Sequence, residues 1–499
     1  MTTPPPAPPR QGFKSKTPIG ANAARRRAWG PATRHQYSGW KFQIRRISNG
    51  AALHDTRMLA DPLRRQGQAL SIGSVLGVVL LLGAFVLSIF KPAGVSGNDA
   101  VLADRATGAL YVLVNGDLHP ALNLTSARLI VDKPVEPKTV KGEQIDKHPR
   151  GNTLGIPQAP ARMNQSPGRE SRWMVCDAAD GPMAGTTVIV GDPVAGGGRA
   201  STMASGTAIL ARGGEDDATW LIWDGKRARI DLQDSAVSAA VGIGIDAPRP
   251  RPIDRALLNL IPESPPLRAP FVGNAGDPPR FGWVGGDPAP VVGSVVVDHQ
   301  DGQVRNYVVT AEGLQAITPV VAAILRATNS HGLIEPPELT PDQTAKLPVA
   351  TPIPVDYYPE HPLSIVDPVT DPIACAQWVK LDSAPTSTLT VLAGQSLPIG
   401  QGEKPVPLPP APGAAARIVA PAGVGYFVQV TGQQPRSATR EAQFWVSDLG
   451  LRYGIEGAAN EHPVEALGLV SPALPVPWAV LMLLAPGPTL SKTDALITH

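Results

Sequence analysis

Two cysteines and nine histidines are the residues of this chain best equipped for redox, metal or nucleophilic chemistry, and their spacing supports little of it. The histidines (35, 54, 119, 148, 299, 331, 361, 462 and 499) are scattered, and Cys176 and Cys375 are too far apart in sequence to suggest a zinc motif. Asp298-His299-x-Asp301 has the residue types of a general base and its orienter, but it runs into Gly302, where polar turn residues are expected anyway. The pattern S-x-x-K occurs at Ser38/Lys41 and Ser88/Lys91 without an accompanying S-D-N or K-T-G, so both are chance matches. No G-x-x-x-x-G-K-[ST] loop is present. The one Gly-Lys pair, Gly225-Lys226, precedes Arg227 inside an expected hairpin turn, leaving no evident cradle of backbone N–H groups for a triphosphate. The cluster Gly196-Gly197-Gly198-Arg199 has the composition of a mobile surface loop rather than an anion site. H-E-x-x-H and G-x-S-x-G are absent too. No catalytic, metal or cofactor residue is assigned.

The strongest physical signal is an uncharged apolar run at 69–90, bounded by Arg64-Arg65 and Lys91-Pro92. At about 1.5 Å per residue, 22 residues just cross a hydrocarbon core of roughly 30 Å. Residues 1–68 carry thirteen Lys/Arg against Asp55 and Asp61, a net of +11; the whole chain is +2, so 69–499 is −9. Basic flanks stay in the cytoplasm, which places the long C-terminal part on the far side. The basic flank is too long for an ordinary cleaved signal peptide, and no A-x-A-like site follows. A retained single-pass anchor in the inner membrane is expected, N-terminus cytoplasmic and body periplasmic.

The exported part is rich in Pro and Gly (55 and 50 in the chain), yet 43% of the residues are hydrophobic. Its Val/Ile/Leu fall in short runs bounded by turn residues, the mark of an ordered, loop-rich α+β fold. With two cysteines in apolar surroundings and an oxidising compartment, a Cys176–Cys375 disulfide is expected, two buried free thiols being the alternative. Four segments share an outline: Tyr111-Val-Leu-Val-Asn115-Gly116, Trp220-Leu-Ile-Trp-Asp224-Gly225, Tyr307-Val-Val-Thr-Ala-Glu-Gly313 and Phe444-Trp-Val-Ser-Asp-Leu-Gly450. Each is an aromatic-led strand entering a Gly turn. Asn-Gly and Asp-Gly suit two-residue hairpins, and the other two suit a three-residue loop with a bulge. A second strand follows, then a helix start, clearest at Thr318-Pro319. Irregular spacing argues against a regular solenoid.

The expected organisation is a basic cytoplasmic tail (1–68), the transmembrane helix (69–90), and an elongated body of four hairpin-plus-helix repeats. The repeats occupy 91–170, with a linker, then 171–245, 291–330 and 426–499, the last with a C-terminal strand from the apolar run 478–485. Pro-rich stretches at 246–290, a separate central piece, and 331–425, a connector, lie between them.

In the tail, Trp40, Ile44, Ile47 and Ala51 recur at i, i+4, i+7, i+11, with Lys41, Arg45 and Arg46 on other faces. This is a basic amphipathic helix suited to an anionic membrane surface or a partner's groove. Arg25-Arg26-Arg27 interleaved with Trp29, Tyr37, Trp40 and Phe42 has the composition of a nucleic-acid binder, but beside a membrane anchor lipid contact and orientation explain it more simply.

The tail, the block Leu53-His-Asp55-Thr56-Arg57-Met58-Leu-Ala-Asp61-Pro62-Leu63-Arg64-Arg65, the repeat turns and the Pro-Gly-Pro-Thr-Leu-Ser at 486–491 closely resemble EccB, the bitopic membrane component of mycobacterial type VII (ESX) secretion systems. The resemblance covers essentially the whole chain. Gly12-Phe-Lys-Ser-Lys-Thr-Pro-Ile-Gly20 further resembles the paralogue of the fifth ESX system, which exports PE and PPE proteins. The resemblance implies a core structural subunit of an inner-membrane translocase for proteins such as the PE/PPE and Esx families. The implied partners are the EccC motor ATPase, EccD, EccE, the mycosin protease and other EccB copies. It also implies a repeat body and a cysteine pair at Cys176 and Cys375. Members of the family are often labelled ATPases; no residue here corresponds to a nucleotide site, so ATP enters only through that label. The alternative class is a membrane-anchored enzyme, a noncanonical ATPase or a cell-wall hydrolase.

Overall fold

The computed structural model describes residues 32–54, 56–57, 62–90, 99–285, 289–300 and 302–499. Two compact units, Met1–Pro92 and Ala93–His499, divide the chain. In the first, helix α1 (Arg34–Leu53) begins at a capping box: the Gln36 N–H donates to Thr33 Oγ1 and the Thr33 N–H to Gln36 Oε1. It ends at His54 in the left-handed conformation, whose N–H returns to the Gly50 carbonyl. Helix α2 (Pro62–Phe90) starts on proline, which needs no N–H partner there, and contains the whole apolar run. Its stretch Gln66–Phe85 is long and apolar enough to cross a membrane, and none of it is buried within the chain.

Among the described residues the second unit holds five sheets. Four share one strand order: three antiparallel strands in sequence, a helix, then a strand that returns parallel to the first. In the first of these, Val101–Asp104, Leu110–Val114 and Asp117–Ala121 precede helix Leu124–Val131 and strand Lys138–Val140. Thr207–Gly213, Ala218–Trp223 and Lys226–Arg229 precede helix Ser235–Ala240 and strand Arg251–Pro252. Val295–Gln300, Gln303–Val309 and Leu314–Ile317 precede helix Pro319–Thr328 and strand Glu338–Leu339. Tyr426–Thr431, Gln443–Val446 and Leu451–Ile455 precede helix Pro463–Ala466 and strand Leu474–Pro477.

The turns show why the sequence chose their residues. Asn115 and Gly116 have φ of 53° and 97°, Asp224 and Gly225 of 44° and 70°, as two-residue hairpins demand. In the fourth sheet the Ser447 N–H donates to the Leu451 carbonyl and the Gly450 N–H to the Ser447 carbonyl, around a three-residue loop ending at Gly450, φ 76°. The third sheet departs from this: Thr310 N–H donates to the Gly313 carbonyl around only two residues. Gly313 is required there by crowding, since a Cβ would lie 2.3 Å from the Pro348 carbonyl oxygen.

The fifth sheet has seven strands, in the order Val406–Pro407, Arg417–Val419, Gly185–Val190, Ser171–Ala178, Ile373–Lys380, Thr388–Gly394, Ser201–Thr202. It redraws the expected boundaries. Strands from 171–202, assigned from sequence to the second repeat, pair instead with strands from 373–419, inside the stretch read as a connector. The physical reason is burial on both faces: Trp173 to Cys176 and Ile373 to Ala376 are all nearly inaccessible, so neither run shows the alternation of a half-exposed strand. The Pro-rich 246–290 is no separate piece either, because Leu257, Leu258 and Leu260 of helix Arg255–Leu260 enter the core beneath the seven-stranded sheet. The run 478–485 is buried from Ala479 on, with Met482 half-buried, but Trp478 is 45% exposed and the run begins as a helical turn, Trp478–Leu481, before the short strand Ala485–Pro486.

Packing is nested. The first and fourth sheets share one apolar core, in which Val112 and Leu129 join Phe427, Trp445 and Tyr453. The second and third share another, in which Leu221, Trp223 and Val237 meet Val308, Val321 and Ile324. The second and fourth also meet the central sheet in the largest core, around Trp173, Trp220, Trp378 and Val428.

Candidate functional surfaces

Cys176 and Cys375 sit directly opposite each other on adjacent antiparallel strands, Cα atoms 4.0 Å apart, and are joined by a disulfide. Both are completely buried. The bond closes a loop of 199 residues that contains the second and third sheets in full. One residue along, Asp177 faces Arg251, each side chain only 4% exposed, with Nη2 3.8 Å from Oδ2. The same Nη2 donates to the backbone carbonyls of Pro372, at 2.9 Å, and Asp177, at 3.2 Å. The Asp254 N–H donates to Asp177 Oδ2 at 3.3 Å. Burial pushes the Asp177 carboxyl up and the Arg251 guanidinium down, each opposed by the other's charge. This pair ties the last strand of the second sheet to the central sheet. Sequence reading missed it, because Arg251 in Arg-Pro-Arg-Pro is indistinguishable from a solvated arginine.

The candidate chemical motifs do not assemble. Asp298 is buried and accepts from the Tyr307 hydroxyl at 3.3 Å, whereas His299, the next residue of the strand, is exposed on the opposite side. Successive strand residues point to opposite faces, so the histidine cannot be oriented by that carboxylate. Asp301 lies outside the described residues. Lys226 packs its ammonium 5.0 Å from the Trp223 ring, and burial lowers its pKa. A Cβ on the adjoining Gly225 would lie 2.7 Å from the Leu389 carbonyl oxygen, so the backbone there is packed as a hairpin turn. The Gly196 carbonyl accepts from its own Arg199 at 3.0 Å. Ser38 donates to the His35 carbonyl within α1, and Lys91 lies outside the described residues. Among the described residues no group of three His, Cys, Asp or Glu could hold a metal.

On α1, Trp40, Ile44 and Ile47 are 60%, 48% and 68% exposed, Arg46 is exposed and Arg45 is half-buried. Lys41 lies 5.9 Å from the Tyr37 ring, which stands 6.1 Å from Trp40. Phe42 falls on the opposite face and is also exposed. The Arg25-Arg26-Arg27 cluster, Trp29, the 12–20 segment, Asp55 and Met58 to Asp61 of the block that leads into α2 lie outside the described residues.

The chain matches the family described as "Type VII secretion system ESX-1, transport TM domain B" over residues 29–499. It is 48% identical over 497 residues to a protein named ESX-3 secretion system ATPase EccB3 from Mycolicibacterium smegmatis, covering 98% of this chain and 95% of that one. The EccB3 of Mycobacterium tuberculosis is 47% identical, covering 98% and 94%. The ESX-5 counterpart of Mycobacterium marinum, EccB5, is 35% identical, covering 94% of each. These identities do not support the assignment to the fifth ESX system drawn from residues 12–20, a short segment outweighed by the rest of the chain. Among solved structures, the EccB3 dimer of the ESX-3 core complex superposes with a TM-score of 0.71 at 45% identity, covering 80% of this chain and all of that one. A chain of the intact ESX-5 inner membrane complex does so with 0.71 at 33%, covering 95% and 97%. With a family match across nearly its whole length and relatives at almost half identity, the chain belongs to the EccB family of type VII secretion systems.

Proposed function

We propose that this chain is the single-pass structural subunit of an ESX-3-type inner-membrane secretion complex, its tail cytoplasmic and its body periplasmic. The observation that carries the reading is the combination of full-length family membership with a large body that assembles no catalytic constellation among its described residues. Its relatives are found in inner-membrane complexes and as a dimer, which supports other copies of this chain and the EccC motor ATPase, EccD, EccE and the mycosin as its partners. The four sheets of common strand order are best understood as copies of one module, placed around the disulfide-tied central sheet as a rigid frame for those partners. The proteins it helps to export are of the PE/PPE and Esx classes.

Orientation follows from charge. A net of +11 over residues 1–68 and −9 over 69–499 obeys the positive-inside bias. Protease added to intact spheroplasts digests the body and spares the tail; the reverse pattern contradicts the topology.

Relatives carry the name ATPase, and we assign ATP no residue in this chain. Purified residues 99–499 are expected to show no saturable ATP turnover. Turnover that a point substitution in that segment abolishes would replace the scaffold reading with the enzymatic one.

A further inference from the structure

We propose that α1 lies flat on the anionic inner-leaflet lipid surface, its Tyr37–Trp40–Ile44–Ile47–Ala51 stripe in the headgroup boundary and its cations on phosphate. This rests on the reading of α2 as a membrane span. The stripe is solvent-exposed in the chain and runs along one face of a 20-residue helix, about 30 Å long. Arg34, Lys41, Arg45 and Arg46 are its only charges; the helix contains no acid. A protein groove would supply its own complementary carboxylates, but a continuous negative surface is already at hand. Only residues 54–61 separate α1 from α2, and eight residues reach at most about 28 Å. The helix is therefore held within one helix length of the bilayer that α2 enters. Tyr and Trp are the side chains whose apolar rings and polar tips suit that depth, and flanking Lys and Arg can reach outward from it. Capping at both ends keeps the helix formed without a partner.

The test uses the full chain in nanodiscs, with single nitroxide labels at Ile44→Cys or, on the opposite face, His35→Cys; the native cysteines are locked in their disulfide. In phosphatidylglycerol discs the label at 44 is expected to be accessible to oxygen and shielded from an aqueous nickel chelate, while the label at 35 stays aqueous. Lys41→Gln, Arg45→Gln and Arg46→Gln together lower the on-membrane to off-membrane ratio by roughly 100-fold, and phosphatidylcholine discs have a similar effect. An aqueous label at 44 in phosphatidylglycerol overturns the proposal. So does equal shielding in both lipids that the triple change leaves untouched, which would make the contact purely apolar. Shielding from both oxygen and nickel only within the assembled secretion complex would assign the face to a protein neighbour. A chain that fails to enter discs at all would instead overturn the reading of α2.

Discussion

Replacing Cys176 and Cys375 together by alanine lowers the stability of the body by about 5 kcal/mol in the chain-entropy account of disulfides. The large value comes from the length of the loop, 199 residues, which the unfolded chain must otherwise close unaided. Alanine fits the site: the two positions face each other across the strands, fully buried, with Ala374 and Ala376 as neighbours. Little native contact is lost, so the effect acts through the unfolded state. Because the loop contains the second and third sheets entire, their dependence on the central sheet should rise in the variant. Thermal unfolding of the purified body should show a lower midpoint and an earlier separate transition for residues 207–339. A variant melting with the parent would mean that the bond contributes nothing to stability.

Arg251→Met destabilises the body by about 3–5 kcal/mol, because it leaves Asp177 charged and unpaired in the interior. The nearly inaccessible Asp177 keeps a single backbone N–H, from Asp254, at its Oδ2. Adding Asp177→Asn removes the stranded charge, retains a carbonyl for that N–H, and recovers most of the loss. The pH dependence has a definite sign. Burial already raises the Asp177 carboxyl above its ordinary value, and losing Arg251 raises it further. A carboxyl raised in the folded state stabilises folding when protonated, fully below its unfolded pKa of about 4, and loses that contribution as pH climbs through the folded value. The deficit of Arg251→Met relative to the parent therefore shrinks from pH 7 to pH 5 in urea unfolding, while the double variant shows no such trend. A deficit independent of pH would locate the cost in packing rather than in the stranded charge.

What could be read from the residues alone divides along physical lines. Local chemistry was legible: the long apolar helix α2 from 22 uncharged residues, the hairpins from Asn115-Gly116 and Asp224-Gly225, and the helix start from Thr318-Pro319. These need only neighbours in sequence. The seven-stranded sheet was not legible, because its strands come from 171–202 and 373–419 and their pairing is decided by two-sided burial, which erases alternation. Prolines misled in the same region: Pro372 looked like part of a connector, yet its carbonyl accepts the buried Arg251. The disulfide was inferred from two cysteines and a compartment; that it joins directly opposed residues required the fold. For the amphipathic face of α1 the periodicity gave the stripe, and the exposure of Trp40 and Ile47 shows that the chain itself leaves it uncovered.

The central claim is that this chain is a structural part of a membrane secretion complex, and its state after gentle extraction tests that most directly. Tagged full-length chain, solubilised from native membranes in mild detergent and sized by native electrophoresis with mass spectrometry, should migrate in a megadalton assembly. That assembly should contain a P-loop ATPase and multispanning subunits, and should be lost when α2 is deleted. A chain that extracts alone, with no ATPase subunit beside it, would contradict the account.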